Sequence, residues 1–155
     1  NNDFVVGNSG NNTYNAGAGD DLIQDRAGGN DTYIYNLGDG NDVITDIGGE
    51  DTIKFGNGIT LNNLGFEDIN GDLKIGVFKD NEEVGCIFVL KFFKSDNRKI
   101  EHFEFADGTI IDDITPYLAG ITIKSDYTIA EDNTNLKNIY MKGKKDISVL
   151  GQQYI

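Results

Sequence analysis

Basic residues are scarce in this chain and cysteine is nearly absent. Thirteen lysines and arginines stand against 26 acids, a formal charge of −13. A surface of that sign repels nucleic acid and anionic membrane, which excludes nucleic acid as a partner. It invites cations instead. The single cysteine, Cys86, excludes an internal disulfide, and its place in an apolar run marks it as a small buried hydrophobe. Lack of disulfides does not argue against export, because a metal can staple an extracellular domain as well. No N-terminal signal peptide is visible, and no apolar run reaches the roughly 18 residues that a spanning helix needs. Catalytic groups are also few. The one histidine, His102, lies between Glu101 and Glu104 on a strand, where it reads as solvent-facing or hydrogen-bonded, and four scattered serines offer no nucleophile with a partner base. We expect no enzyme activity from this stretch.

What the chain has in plenty is glycine and acid in a fixed rhythm. From Asp3 to Phe55 a glycine- and acid-rich turn is followed repeatedly by a short apolar-centred segment. Asp3, Asn12, Asp21, Asp31, Asp42 and Asp51 are each followed two residues later by Val5, Tyr14, Ile23, Tyr33, Ile44 and Ile53, at spacings of 9, 9, 10, 11 and 9. A period near nine is too short for a helical pair and suits a strand of about three residues joined by a turn of about six, as in nonapeptide β-helices. Successive strands then alternate between two parallel sheets, with Val5, Ile23 and Ile44 in one and Tyr14, Tyr33 and Ile53 in the other. All six can point inward. The first repeat lacks the glycines that should precede it, so the chain reads as a piece of something larger. Residues 1–58 carry ten acids against Arg26 and Lys54, which concentrates the negative charge in the repeats.

These repeats resemble the haemolysin-type calcium-binding repeat of the RTX family, G-G-x-G-x-D-x-U-x with U a large apolar residue. Ala16 to Gln24 (AGAGDDLIQ) matches eight of the nine positions, and Asn30 to Ile59 resembles the degenerate block that closes such arrays. Asn12 in place of aspartate, Asn8 in place of a glycine, and the altered turns before Asp31 and Asp51 depart from the pattern. The resemblance implies an all-β fold: a calcium-bound parallel β-roll (β-solenoid) over 1–58, followed by a β-rich C-terminal cap with a short helix over 59–120. Residues 121–155 would extend the cap or begin a further degenerate repeat.

The resemblance also implies a ligand set. Calcium takes six to eight oxygens, and two stacked turns supply them from backbone carbonyls and one aspartate each. Carried over, the turn residues are Gly7, Ser9, Gly10, Gly17, Ala18, Gly19, Gly29, Gly38, Gly40 and Gly49. The side-chain pairs are Asp3 with Asp21, Asn12 with Asp31, Asp21 with Asp42, and Asp31 with Asp51, with several calcium ions bound. Such modules belong to secreted, extracellular bacterial proteins exported by type I secretion machinery, whose other parts include toxins and adhesins. Two functions follow as expectations: a calcium-driven folding and export module, or an adhesive module in which the flank contacts a host-cell surface or glycan and the roll is a spacer.

Beyond Ile59 the rhythm stops and seven of the nine phenylalanines appear. Leu73 to Phe78 and Val84 to Phe93 predict strands around the turn Lys79-Asp80-Asn81-Glu82, the second buried on both faces. Ser95 to Arg98 predicts a turn, and Ile100 to Phe105 a strand with Phe103 and Phe105 on one face. Ala106-Asp107-Gly108 turns into Thr109 to Ile111, and Asp112 or Asp113 can cap a short helix through Pro116 that Gly120 would end. The segment FADGTIID resembles the close of the flank that follows RTX arrays. From Ile121 on, apolar patches at 121–123, 136–141 and 147–150 alternate with polar turns, and Lys142, Lys144 and Lys145 read as a solvated hairpin tip.

Overall fold

Six short strands occupy the repeats: β1 (Phe4–Val6), β2 (Thr13–Tyr14), β3 (Leu22–Gln24), β4 (Thr32–Tyr35), β5 (Asn41–Thr45) and β6 (Thr52–Phe55). Five follow: β7 (Leu64–Ile69), β8 (Asp72–Lys79), β9 (Glu82–Val89), β10 (His102–Glu104) and β11 (Ile110–Ile111). Among the described residues, helical structure is confined to 3-10 turns at Leu61–Asn63, Asp96–Arg98 and Thr115–Tyr117. The computed structural model describes residues 1–119, of which Asn1–Pro116 form one unit; a second begins at Tyr117. Gly120, the three apolar patches and the lysine group lie outside the described residues. No helix among the described residues is long and apolar enough to cross a membrane.

The strands form two sheets, ordered β1-β3-β5-β9-β8-β7 and β11-β10-β6-β4-β2. Within the repeats every pairing is parallel and joins alternate strands: Val5 stands beside Ile23 and Ile23 beside Ile44, while Tyr14 stands beside Tyr33 and Tyr33 beside Ile53. Parallel strands need a crossover. Here each crossover is a turn, a strand of the other sheet and a second turn. The flank continues both sheets. β9 lies parallel to β5 with Val89 beside Ile44, and β10 lies parallel to β6 with Phe103 beside Ile53. Antiparallel partners then finish them, β8 and β7 on one side and β11 on the other. The fold is therefore all-β with mixed sheets.

Side chains two apart share a face of a strand, so each repeat turns an inward triplet to the core. Ile23, Tyr33, Ile44 and Ile53 supply the middle members, and Tyr35, Phe55 and Phe105 follow two residues after the middle position in the second sheet; all are at most 3 % exposed. The rings stack along the strand order, Tyr14 on Tyr33 at 4.9 Å and Phe55 on Phe105 at 5.2 Å. In the flank Phe66, Leu73, Ile75, Val77, Ile87, Val89 and Ile100 are buried, with Phe66 edge-on to Phe103 at 5.9 Å. The β8–β9 hairpin turns at Asp80 and Asn81, whose φ angles of 55° and 67° are the left-handed pair of a two-residue hairpin loop.

Three features differ from the sequence expectation. β7 is an additional strand, because Glu67, Asp68 and Ile69 are all exposed and its apolar alternation stops after Phe66. The strand predicted to Phe93 ends at Val89. Lys91 takes φ 62° and Lys94 N–H bonds back to the Lys91 carbonyl, so the apolar run bends and Phe92 enters the core from a turn. The short helix is a single 3-10 turn, whose Thr115 N–H is met by the Asp113 carboxylate at 3.0 Å.

Candidate metal centres

The predicted acidic positions form two ladders, one along each sheet. In the first, Asp3 N–H donates to Asp21 Oδ1 at 2.7 Å and Asp21 N–H to Asp42 Oδ1 at 3.0 Å. In the second, Asn12 N–H donates to Asp31 Oδ1 at 2.7 Å and Asp31 N–H to Asp51 Oδ1 at 2.8 Å. Each carboxylate thus spends one oxygen on the backbone of the preceding coil. The other oxygen is the informative one. Oδ2 of Asp21, Asp31 and Asp51 is buried without a hydrogen-bond partner. Asp21, Asp31, Asp42 and Asp51 are themselves buried, whereas Asp3 is exposed and Asn12 half-buried.

The glycines two residues before these acids stack in register. A Cβ on Gly29 would lie 2.4 Å from the Gly10 carbonyl oxygen, on Gly49 1.6 Å from that of Gly29, and on Gly40 2.1 Å from that of Gly19. Only a residue without a side chain lets the turns approach so closely, and the approach leaves backbone carbonyls lined up beside the acid ladders. Gly7, Ser9, Gly10, Gly29 and Gly49 belong to the turns that enter the second sheet. Gly17, Ala18, Gly19, Gly38 and Gly40 belong to those that enter the first.

Burial dominates the electrostatics. It pushes the carboxyls of Asp31 and Asp42 up to about 6, against the lowering effect of the N–H each accepts, and neighbouring carboxylates add to the rise. Asp51 is raised for the same reason. Asp46, unanticipated as a site residue, is pushed up to about 8 by burial, with the nearby acids contributing and the Tyr33 hydroxyl opposing. Carboxylates that hold protons this firmly are groups waiting for a positive charge, and carboxylate oxygens of Asp31, Asp46 and Asp51 lie within 4.8 Å of one another.

Comparison with known families bears on the flank that continues the ladders. Residues 87–115 match the family described as the haemolysin-type calcium binding protein related domain. Over that stretch the chain is similar to a haemolysin-type calcium-binding related domain. This supports the RTX-type family suggested by the repeats and calcium binding at the level of the family. No curated protein matches the chain closely enough to be set beside it.

The matched stretch holds an acid that the sequence reading left out. Glu101 stands two residues before Phe103, in the same acid-x-apolar phase as the repeats, and its Oε2 accepts Asp51 N–H at 2.9 Å. It is the last rung of the second ladder. The first ladder ends differently, since Ile87 pairs with Asp42 and puts an apolar side chain where the next acid would stand. Asp25 and Asp46 were missed although alternation marks them: each follows an inward isoleucine by two residues and so faces inward too. They accept the hydroxyls of Tyr14 and Tyr33, tyrosines whose own ionisation burial and these carboxylates suppress. His102 bridges Asp112 at 2.7 Å and Glu50 at 2.9 Å, and the Asp112 hydrogen bond, with that of Glu50, raises its pKa despite partial burial. It serves as an ion-pair bridge between a repeat turn and the flank.

Proposed function

We propose that this chain is a calcium-binding module of the RTX type, in which residues 1–58 form a parallel β-roll that folds when calcium binds and residues 59–120 cap it. The module is disordered at low calcium and ordered at the roughly millimolar calcium found outside cells. In that reading it supports export and folding of a larger secreted bacterial toxin or adhesin through type I machinery. The observation that carries it is the set of buried, unpartnered oxygens on Asp21, Asp31 and Asp51.

An unsatisfied buried polar atom costs about 1–3 kcal/mol, and more when charged. Two carboxylates about 5 Å apart repel by roughly 3 kcal/mol at an effective dielectric near 20. A hard divalent cation removes both costs. Asp21 with Asp42 and Asp31 with Asp51 would hold it, together with carbonyls of the stacked glycine turns. With dissociation constants of about 0.1–1 mM, each site contributes on the order of 0.5–1.5 kcal/mol at about 1 mM calcium. About three or four sites then add a few kcal/mol, comparable to a domain's net stability. Binding and folding are one event for such a module.

Far-UV circular dichroism during a calcium titration, with magnesium as control, tests this on the parent and on Asp21→Ala. The expected result is a coil-to-strand transition near millimolar calcium, absent with magnesium and shifted to higher calcium by the substitution. A spectrum already strand-rich in chelator and unmoved by calcium would overturn the reading. The same calcium-loaded chain tests the adhesive alternative, which requires saturable binding to a cell surface or glycan.

A further inference from the structure

We infer that the calcium ion at the level of Asp31 and Asp51 takes a third carboxylate, Asp46, from outside the turn ligands of the repeat, and that this makes it the tightest site in the chain. The inference rests on the calcium reading above and goes beyond it in assigning a ligand and an order of filling.

Asp46 is fully buried. Its Oδ2 accepts the Tyr33 hydroxyl, and its Oδ1 has no partner at all. Carboxylate oxygens of Asp31, Asp46 and Asp51 lie within 4.8 Å of one another. Oxygens bound to one calcium at about 2.3–2.6 Å stand at most about 5 Å apart, so the three fit a single coordination sphere.

Asp25, one coil earlier and at the same phase, shows what a purely structural acid looks like there. Its Oδ1 accepts the N–H groups of Ala27 at 2.9 Å and Gly28 at 3.1 Å, and its Oδ2 accepts the Tyr14 hydroxyl. Both of its oxygens are thus taken up by protein donors. The turn after Asp46 is one residue shorter, Asp-Ile-Gly-Gly-Glu-Asp against Asp-Arg-Ala-Gly-Gly-Asn-Asp. Its Gly48 N–H goes to the Asn97 carbonyl instead, at 2.8 Å. In the shorter turn Asp46 Oδ1 is left buried without a donor. Tyr33 acts as a positioning residue, fixing Oδ2 so that Oδ1 faces the two ladder acids. On the opposite side the residues at this phase are Tyr35 and Phe55, and the nearby buried Asp39 is engaged by Asn36 N–H at 2.8 Å, so the Asp21–Asp42 level has no acid equivalent to Asp46.

Three carboxylates around one ion favour a large, hard, highly charged cation, calcium or a lanthanide, over magnesium, which demands a small octahedron and keeps its water. The test is a calorimetric calcium titration of the whole chain, with tyrosine-sensitised terbium emission as a second readout. Asp46→Asn should weaken the tightest calcium class roughly tenfold or more and lower the terbium signal at sub-saturating metal. Asp25→Asn should leave that class within about twofold of the parent, since its acid is not a ligand. If Asp46→Asn keeps the tightest class unchanged while the parent binds calcium, the third-ligand assignment is wrong. If the parent binds no calcium, the underlying reading fails instead. Should Asp46→Asn not fold at saturating calcium, Tyr33→Phe decides the matter: a several-fold weaker tightest class by calorimetry supports the assignment, and an unchanged one overturns it.

Discussion

Asp31, Asp42 and Asp51 each balance one backbone N–H that favours the charged carboxylate against burial that opposes it, and burial prevails. The consequence is a pH dependence of definite sign. With Asp31 and Asp42 pushed up to about 6 and Asp46 to about 8, against about 3.9 in an unfolded chain, the metal-free folded state holds protons that the unfolded state releases. The stabilisation is complete below about pH 4 and is lost as pH rises through about 6 for the first two and about 8 for Asp46. In chelator, where the proposed reading has the chain disordered near neutral pH, strand content should therefore rise as the pH falls from about 8 towards about 4. With calcium the trend should reverse, because the ion replaces the protons. Strand content that stays flat across this range in chelator would show that these acids are not buried in the ordered state. His102 adds a smaller contribution of the same sign as the acids, since its raised pKa makes the bridge to Asp112 and Glu50 strongest at low pH. His102→Gln should cost at most about 1 kcal/mol, as for other exposed ion pairs, and a larger loss at pH 5 would contradict a purely surface role. The ladder acids were legible from their spacing. Asp25 and Asp46 were hidden because an aspartate just after a strand reads by itself as a turn residue, and only the period-two alternation through Ile23 and Ile44 turns it inward.

Strands and turns here are short enough that one misplaced atom affects a whole coil. Gly49 has φ 140°, and a Cβ there would meet the Gly29 carbonyl oxygen at 1.6 Å. Gly49→Ala should cost more than about 2 kcal/mol, combining left-handed strain with a backbone clash that no rotamer relieves. Gly38 makes a fair control, because a Cβ there meets nothing within 4 Å and only the φ penalty remains. Urea unfolding at fixed, saturating calcium compares the two; equal losses would mean that strain alone matters. The parallel pairing of alternate strands followed directly from the nine-residue period, since that spacing puts every second repeat in one sheet. The joining of the flank to those sheets was not legible. Glu101 and Phe103 keep the repeat's phase, but Ser95-Asp96-Asn97-Arg98-Lys99 stands where the glycines should be, so the repeat is recognisable only from the pairing of β10 with β6.

At the scale of the whole molecule the question is which contributes more to the ordered state, the ions or the flank. β9 and β10 supply Ile87, Val89 and Phe103, with Phe105 just after, and all four are nearly inaccessible to solvent. At about 1.5–3 kcal/mol for each fully buried side chain, they contribute roughly 6–12 kcal/mol as an upper estimate. In the proposed calcium reading, about three or four weak sites would contribute only a few kcal/mol. On that reading the flank would decide whether calcium can order the repeats, because without it β5 and β6 become open parallel edges. A chain ended after residue 58 should stay coil-like at about 1 mM calcium, whereas one ended after residue 116 should fold with the cooperativity of the full sequence. Phe103→Ala offers the graded version, with an expected loss of about 3–5 kcal/mol and a calcium midpoint moved upward, since each lost kilocalorie must be recovered from the ions. Should residues 1–58 alone become strand-rich at the same calcium concentration, the repeats would be self-sufficient and the flank would have a task other than capping.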